Sequence, residues 1–241
     1  MNSILVKYGT SSIIDPTTNT IRLQTLQRHV HEMLTLHCKP VIVSSGAIAL
    51  GKLDKNERRP NSALTPVELQ SYATIGQPKL MSIYDNLFNG QPISQILLTD
   101  ETLQRQNDVR ALLEYQVNQR IIPIINYNDG TDFKGVRTEN DEFAATLADY
   151  LGIKTVINFG NEHGFLDENQ QVIPFVHEID HSLEHLCHTS HGPGSGGQLA
   201  KLAAAKRIMN FGGTMIQAKY NSSLMEVLYE DSQKTIYQKR K

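Results

Sequence analysis

Six short apolar runs, at residues 4–6, 41–43, 93–98, 121–125, 155–158 and 214–216, set the limits on how this chain can fold. Each stays apolar for most of its length instead of alternating with polar residues. That pattern suits strands covered on both faces, as in a parallel sheet. Helical spacing fills the intervals. Leu23, Leu26, Val30, Met33 and Leu34 form one stripe, and Leu80, Ile83, Tyr84 and Leu87 a second. Phe143, Leu147 and Tyr150 form a third, and Leu199, Leu202, Ala203 and Ile208 a fourth. All four stripes are expected to face a core. Strand and helix in alternation predict right-handed crossovers and a three-layer α/β/α sandwich around an open, mostly parallel sheet. A chain of 241 residues fits one such domain, spanning 1–241.

Composition narrows the function. Net charge is −2, so no basic surplus points to nucleic acid or anionic lipid. The terminal run Gln238-Lys239-Arg240-Lys241 reads as a solvated tail. Cys38 and Cys187 are too few and too far apart for a disulfide framework. No apolar stretch approaches the roughly 20 residues that span a bilayer, and the start lacks the pattern of a secretory signal. A soluble, cytoplasmic protein is expected, without membrane or nucleic-acid partners.

Ligands of parallel α/β sheets sit beyond the carboxyl ends of the strands. The residues following the runs are Lys7-Tyr8-Gly9-Thr10-Ser11, Ser44-Ser45-Gly46-Ala47, Asn126-Tyr127-Asn128-Asp129 and Gly160-Asn161. A further glycine-rich stretch, Gly192-Pro193-Gly194-Ser195-Gly196-Gly197, precedes Gln198-Leu199-Ala200-Lys201. Glycines let the backbone approach phosphate oxygens, and the helix that should follow offers free N–H groups. Lys201, one turn into that helix, can reach back to the same anion. Gln198 stands where a Walker A loop requires lysine, so this is a different phosphate loop. Lys7, beside the tight Gly9-Thr10-Ser11 turn, offers a second cation. Two lysines on separate elements can neutralise the charge on a migrating phosphoryl group.

The acids admit two readings each. Asn140 could cap a helix or bind a ligand, and Asp129 could form a turn or face a substrate amine. An acid between the two lysines can orient both ammonium groups without acting as a base. His177, His181, His185, Cys187, His188 and His191 crowd one segment, and His181 and His185 have helical zinc-ligand spacing. No third ligand is evident, so a solvated helix and linker is the preferred account, and no protein-held metal is expected.

Taken together, these segments resemble the glutamate 5-kinases of the amino acid kinase superfamily. The resemblance is carried by Val6-Lys7-Tyr8-Gly9-Thr10-Ser11, Val43-Ser44-Ser45-Gly46-Ala47-Ile48-Ala49, and Ile75-Gly76-Gln77-Pro78-Lys79-Leu80-Met81. It continues through Gln95-Ile96-Leu97-Leu98-Thr99 and Pro123-Ile124-Ile125-Asn126-Tyr127-Asn128-Asp129, then Ser195-Gly196-Gly197 with Lys201. These fall in the family's order from residue 4 to about 217.

The resemblance implies phosphorylation of the side-chain carboxylate of L-glutamate by ATP with Mg2+, the first step of proline synthesis. It implies that Lys7 and Lys201 neutralise the transferring group and that Asp141 holds them. Ser45, Gly46, Asp129 and Asn140 would bind glutamate. Lys7, Gly9, Thr10, Gly160, Asn161, Ser195, Gly196, Gly197 and Lys201 would bind the nucleotide. The part before about residue 150 would serve mainly the substrate and the rest mainly the nucleotide. A homo-oligomer and a glutamyl phosphate reductase that consumes the product are the protein partners expected.

The chain departs from the family pattern in places. It has Tyr127 where the family has Glu, Thr138-Glu139 before Asn140-Asp141 where the family has Gly-Asp, and Gly160-Asn161 where the family has Thr-Asp. It is expected to be a short form without a C-terminal PUA domain. The alternatives are a related kinase with another acceptor, and a catalytically weakened regulatory relative.

Overall fold

The computed structural model describes residues 3–36, 38–104, 106–132, 140–189, 195–230 and 232–240. All six apolar runs become strands of one sheet: β1 (Ser3–Tyr8), β2 (Lys39–Ser44), β3 (Ile93–Leu98), β4 (Ile122–Tyr127), β5 (Thr155–Gly160) and a later strand, Thr214–Lys219. Two more join at one edge, β6 (Phe175–Val176) and Lys234–Tyr237; the last strands are therefore β7 (Thr214–Lys219) and β8 (Lys234–Tyr237). Spatial order among the described residues is β3-β4-β2-β1-β5-β7-β8-β6. All neighbours run parallel except β7 and β8. The sandwich expected from the alternation is therefore what forms.

Ten α-helices are described: α1 (Thr10–Ile13), α2 (Leu23–Thr35), α3 (Ala47–Asp54), α4 (Pro66–Phe88), α5 (Asp100–Gln104), α6 (Gln106–Asn118), α7 (Asn140–Leu151), α8 (His181–Thr189), α9 (Ser195–Asn210) and α10 (Leu224–Tyr229). The period of two along each strand sorts them into layers. Leu5, Val156 and Met215 point to one side and pack with residues of α6, α7, α8 and α9. Val6, Ile157 and Ile216 point to the other and pack with α1, α2, α3, α4 and α10.

Helix starts follow local chemistry. The Thr65 side chain accepts from the Glu68 N–H while Glu68 returns the bond to the Thr65 backbone, closing a capping box ahead of Pro66. Ser223 and Glu226 repeat the device at α10. The stripes are largely core-facing, with corrections at their margins. Leu23 and Leu34 are about half exposed, at 49% and 48%, because α2 turns Leu26, His29, Val30 and Met33 inward instead. Ala203 is exposed, and the neighbouring Leu202 and Ala204 take the core face of α9.

α3 and α4 meet at backbone distance. A β-carbon on Gly76 would lie 1.8 Å from the Ala47 carbonyl oxygen, and one on Gly51 would lie 1.9 Å from that of Tyr72. This contact fixes α3, whose N-terminus carries Ser45 and Gly46, over the carboxyl end of the sheet. Gly46 itself is the left-handed cap of α3, at φ 104°. No helix of the described residues is long and apolar enough to cross a membrane.

Candidate active site

Lys7, the next-to-last residue of β1, lies on the α7–α9 side of the sheet, and the parallel register sets it directly beside Asn158 of β5. The first turn of α7 delivers Asp141 onto this pair. Lys7 Nζ donates to Asp141 Oδ1 in a buried ion pair. The same oxygen accepts from Asn158 Nδ2 at 2.8 Å. From α9, Lys201 Nζ approaches Asp141 Oδ2 at 3.8 Å. One carboxylate thus lies between two ammonium groups carried by opposite halves of the chain. Burial alone would push the Asp141 carboxyl up. The charges of Lys7 and then Lys201, with hydrogen bonds from Lys7 and Asn158, hold it below the usual carboxylate range. Among the described residues, Oδ1 takes both hydrogen bonds, while Oδ2 has only the longer ion-pair contact with Lys201.

Lys201 also donates to the Gly197 carbonyl at 3.0 Å, the backward reach that Cα–Cβ geometry gives a helical side chain. The expected open loop is corrected here. Ser195, Gly196 and Gly197 are the opening residues of α9, and Lys201 is its seventh residue, not one turn past a loop. Glycine's poor helix propensity makes such a start read as a connection. Residues 191–194 lie outside the described residues.

Bare glycine positions surround both cations. A β-carbon on Gly9 would sit 3.6 Å from Lys7 Nζ, one on Gly197 3.4 Å from Lys201 Nζ, and one on Gly160 3.9 Å from Lys201 Cε. Gly9 caps α1, and its N–H points to the Phe159 carbonyl at 3.4 Å; Thr10 follows, exposed. Gly160 closes β5, and Asn161 is exposed just beyond it.

The other expected residues gather on the β2–β4 side. The Ser45 N–H bonds to the Tyr8 carbonyl at 2.9 Å, tying the end of β2 to the end of β1. Asn140, the first residue of α7, donates its side-chain amide to Ser45 Oγ. This bond bridges α7 and the β2 turn. Asp129 lies two residues past β4. Burial, and then the charge of Asp132, push its carboxyl up to about 7. Tyr127 donates to Asp132 at 2.6 Å. The residues at 133–139, including Thr138-Glu139, lie outside the described residues.

Sequence reasoning missed Asn158 and the Asn126–Gln77 pair. Asn126 Nδ2 donates to Gln77 Oε1 at 2.9 Å, bracing the end of β4 against α4. The available signal for Asn158 was an amide closing an otherwise apolar run. The histidine segment holds no metal geometry among the described residues, where no group of three His, Cys, Asp or Glu could hold an ion. His181 instead lies 3.4 Å from Glu184. His191 and the side chain of His188 lie outside the described residues.

A doubly covered parallel sheet with a glycine-ringed pair of lysines at its carboxyl end defines a class of phosphoryl-group-binding α/β proteins. The chain belongs to the amino acid kinase family, whose profile matches residues 2–217. It is 32% identical over 235 residues to the glutamate 5-kinase of Dictyoglomus thermophilum, covering 90% of this chain and 61% of that one. It is 31% identical over 249 residues to the glutamate 5-kinase of Clostridium perfringens, covering 94% and 90%. The chain thus spans less than two thirds of the Dictyoglomus relative and most of the Clostridium one. The fold matches UMP kinase from Ureaplasma parvum with a TM-score of 0.67 at 13% identity, covering 99% of this chain and 100% of that one. It matches carbamate kinase from Giardia lamblia bound to AMP-PNP with a TM-score of 0.68 at 11% identity, covering 98% of each.

Proposed function

We propose that the protein transfers the terminal phosphoryl group of ATP to the side-chain carboxylate of L-glutamate. The observation that carries this reading is the Lys7–Asp141–Lys201 bridge with Gly9, Gly160 and Gly197 left bare around it. Such a cradle fits a polyphosphate: backbone can approach its oxygens, and a cation stands on either side of the group in flight. Similarity to two glutamate 5-kinases supports the acceptor.

The side-chain carboxylate of glutamate is ionised near neutral pH, so no general base is needed. The work left to the protein is placement and charge. Ser45, Gly46 and Asn140 would align the acceptor carboxylate, and Asp129 would receive its ammonium. Lys7 and Lys201 would neutralise the equatorial oxygens of the transferring group, fixed in position by Asp141 and Asn158. The part before about residue 150 would serve the acceptor and the rest the nucleotide. Magnesium would be held mainly by the nucleotide's phosphates and water. The product is a labile acyl phosphate, which suits a reductase partner, and a homo-oligomeric assembly is part of the same reading.

A second reading is favoured by Tyr127 and by Asp129: burial, and then the charge of Asp132, raise the proton affinity of Asp129, the acid meant for an amine, which points to a different acceptor. Coupled ADP release with MgATP and a panel of amino acids separates the two. The proposal expects turnover with L-glutamate well above the others and above an Asp141→Ala control, with hydroxylamine trapping the acyl phosphate. Glutamate turnover no higher than the Asp141→Ala control would overturn it.

A further inference from the structure

Lys219 is the last residue of β7, at the ligand-bearing end of the sheet, and its register partner is Gly160 of β5. Alternation along β7 places Met215, Gln217 and Lys219 on one face, and Met215 belongs to the core that packs under α7 and α9. Lys219 therefore points to the side that carries Lys7, Asp141 and Lys201. A β-carbon on its neighbour Gly160 would lie 3.9 Å from Lys201 Cε. The strand register puts Lys7, Asn158 and Gln217 in one row, with Lys219 two residues further along. At strand spacings of about 4.8 Å and a rise of about 3.3 Å per residue, its Cα lies on the order of 12 Å from that of Lys7. Two lysine side chains and a polyphosphate chain together bridge that span.

The backbone around Lys219 is held firmly while its ammonium is not. The Tyr220 N–H bonds to the Gly160 carbonyl at 2.7 Å, and the Ser222 N–H to the Lys219 carbonyl at 3.0 Å. The Arg22 guanidinium covers the Tyr220 ring at 3.8 Å. From α2, His29 Nε2 meets the Ser222 carbonyl at 2.8 Å, and Glu32 accepts from Ser223 Oγ at 2.8 Å and from the Leu224 N–H at 2.6 Å. Among the described residues the half-buried Lys219 ammonium has neither hydrogen bond nor ion pair. A half-buried cation on a rigid turn, beside the bare Gly160, is matched to an anion.

We infer that Lys219 is a third cation of the site, binding the nucleotide's polyphosphate chain on the side away from the acceptor. This rests on the proposed use of a nucleoside triphosphate.

The test compares the unaltered chain with Lys219→Met, which keeps the apolar stem, and Lys219→Arg, which keeps the charge. Calorimetry with a non-hydrolysable ATP analogue plus magnesium, and with adenosine, reads affinity; steady-state kinetics reads KM. Lys219→Met is expected to weaken the analogue about 10- to 100-fold, the range of a lost charged hydrogen bond. Adenosine affinity and the KM for glutamate should stay unchanged, and Lys219→Arg should restore most of the loss. Analogue affinity within twofold of the unaltered chain overturns the inference, and so does an equal loss for adenosine, which would mark a structural role. No binding of the analogue by the unaltered chain removes the nucleotide reading and this inference together.

Discussion

Asp141 joins the two halves of the candidate site. Its two oxygens link lysines from different halves of the chain, and Asn158 fixes the carboxylate from below. Asp141→Ala would leave Lys7 as a buried cation with its partner gone, a change that typically costs about 3–5 kcal/mol. Lower melting temperature together with lost turnover is the expected result, read by calorimetry and the coupled assay. Asn158→Leu keeps the volume but removes the 2.8 Å bond to Asp141; turnover should fall roughly tenfold with the fold intact. Asp129 gives a pH signature. Its folded-state value of about 7 lies above the ordinary 3.8, so the ionised form is disfavoured by folding. The penalty grows as pH rises from about 4 through 7 and is complete above that. Asp129→Asn should therefore melt above the unaltered protein at pH 8 and level with it near pH 4. If the ionised acid takes the glutamate ammonium, the KM for glutamate should climb as pH falls below 7, and Asp129→Asn should flatten that profile.

At the scale of elements, legibility followed burial. Five of the six strands announced themselves as apolar runs because each has to satisfy two cores at once, while the edge strand β3 carries an exposed Gln95 within its run. β8 did not, since Lys234-Thr235-Ile236-Tyr237 is a short antiparallel strand with polar members. Lys234 is satisfied by the carbonyl of Val227 at 2.9 Å, and Thr235 by that of Ile173 at 2.7 Å. The end of β7 was also hidden. Its apolar run stops at 216, whereas hydrogen bonding carries the strand to Lys219, with Gln217 buried by a 2.9 Å bond from Tyr237. The start of α9 read as a loop for the opposite reason: its glycines have poor helix propensity, yet they open the helix. Packing between α3 and α4 yields a direct test. Gly76→Ala would drive a methyl into the Ala47 carbonyl, 1.8 Å away. Such overpacking costs about 1–3 kcal/mol or more, and the shift of α3 would displace Ser45. Denaturant melts should show the loss, accompanied by a raised KM for glutamate.

For the whole molecule, the site was legible to the extent that its residues stand at strand ends and glycine turns. Lys7, Ser45 and Asp129 stand at or just past strand ends, whereas Asn140 and Asp141 open α7 and Lys201 is the seventh residue of α9; the fold brings Lys7, Asp141 and Lys201 into one ion-pair group and joins Asn140 to Ser45 by a hydrogen bond. Long-range pairing was not legible: Lys7 and Asp141 are separated by 134 positions, and only the strand order makes them neighbours. The central claim is that folding places two cations around one phosphoryl group. The most direct measurement is the separation of kcat from KM in Lys7→Ala and Lys201→Ala, assayed with MgATP and L-glutamate in chains shown to be folded. Each variant should lose about 100-fold or more in kcat while the KM for glutamate moves only a few-fold. Near-normal kcat in either variant, or a loss confined to KM, would contradict the two-lysine account.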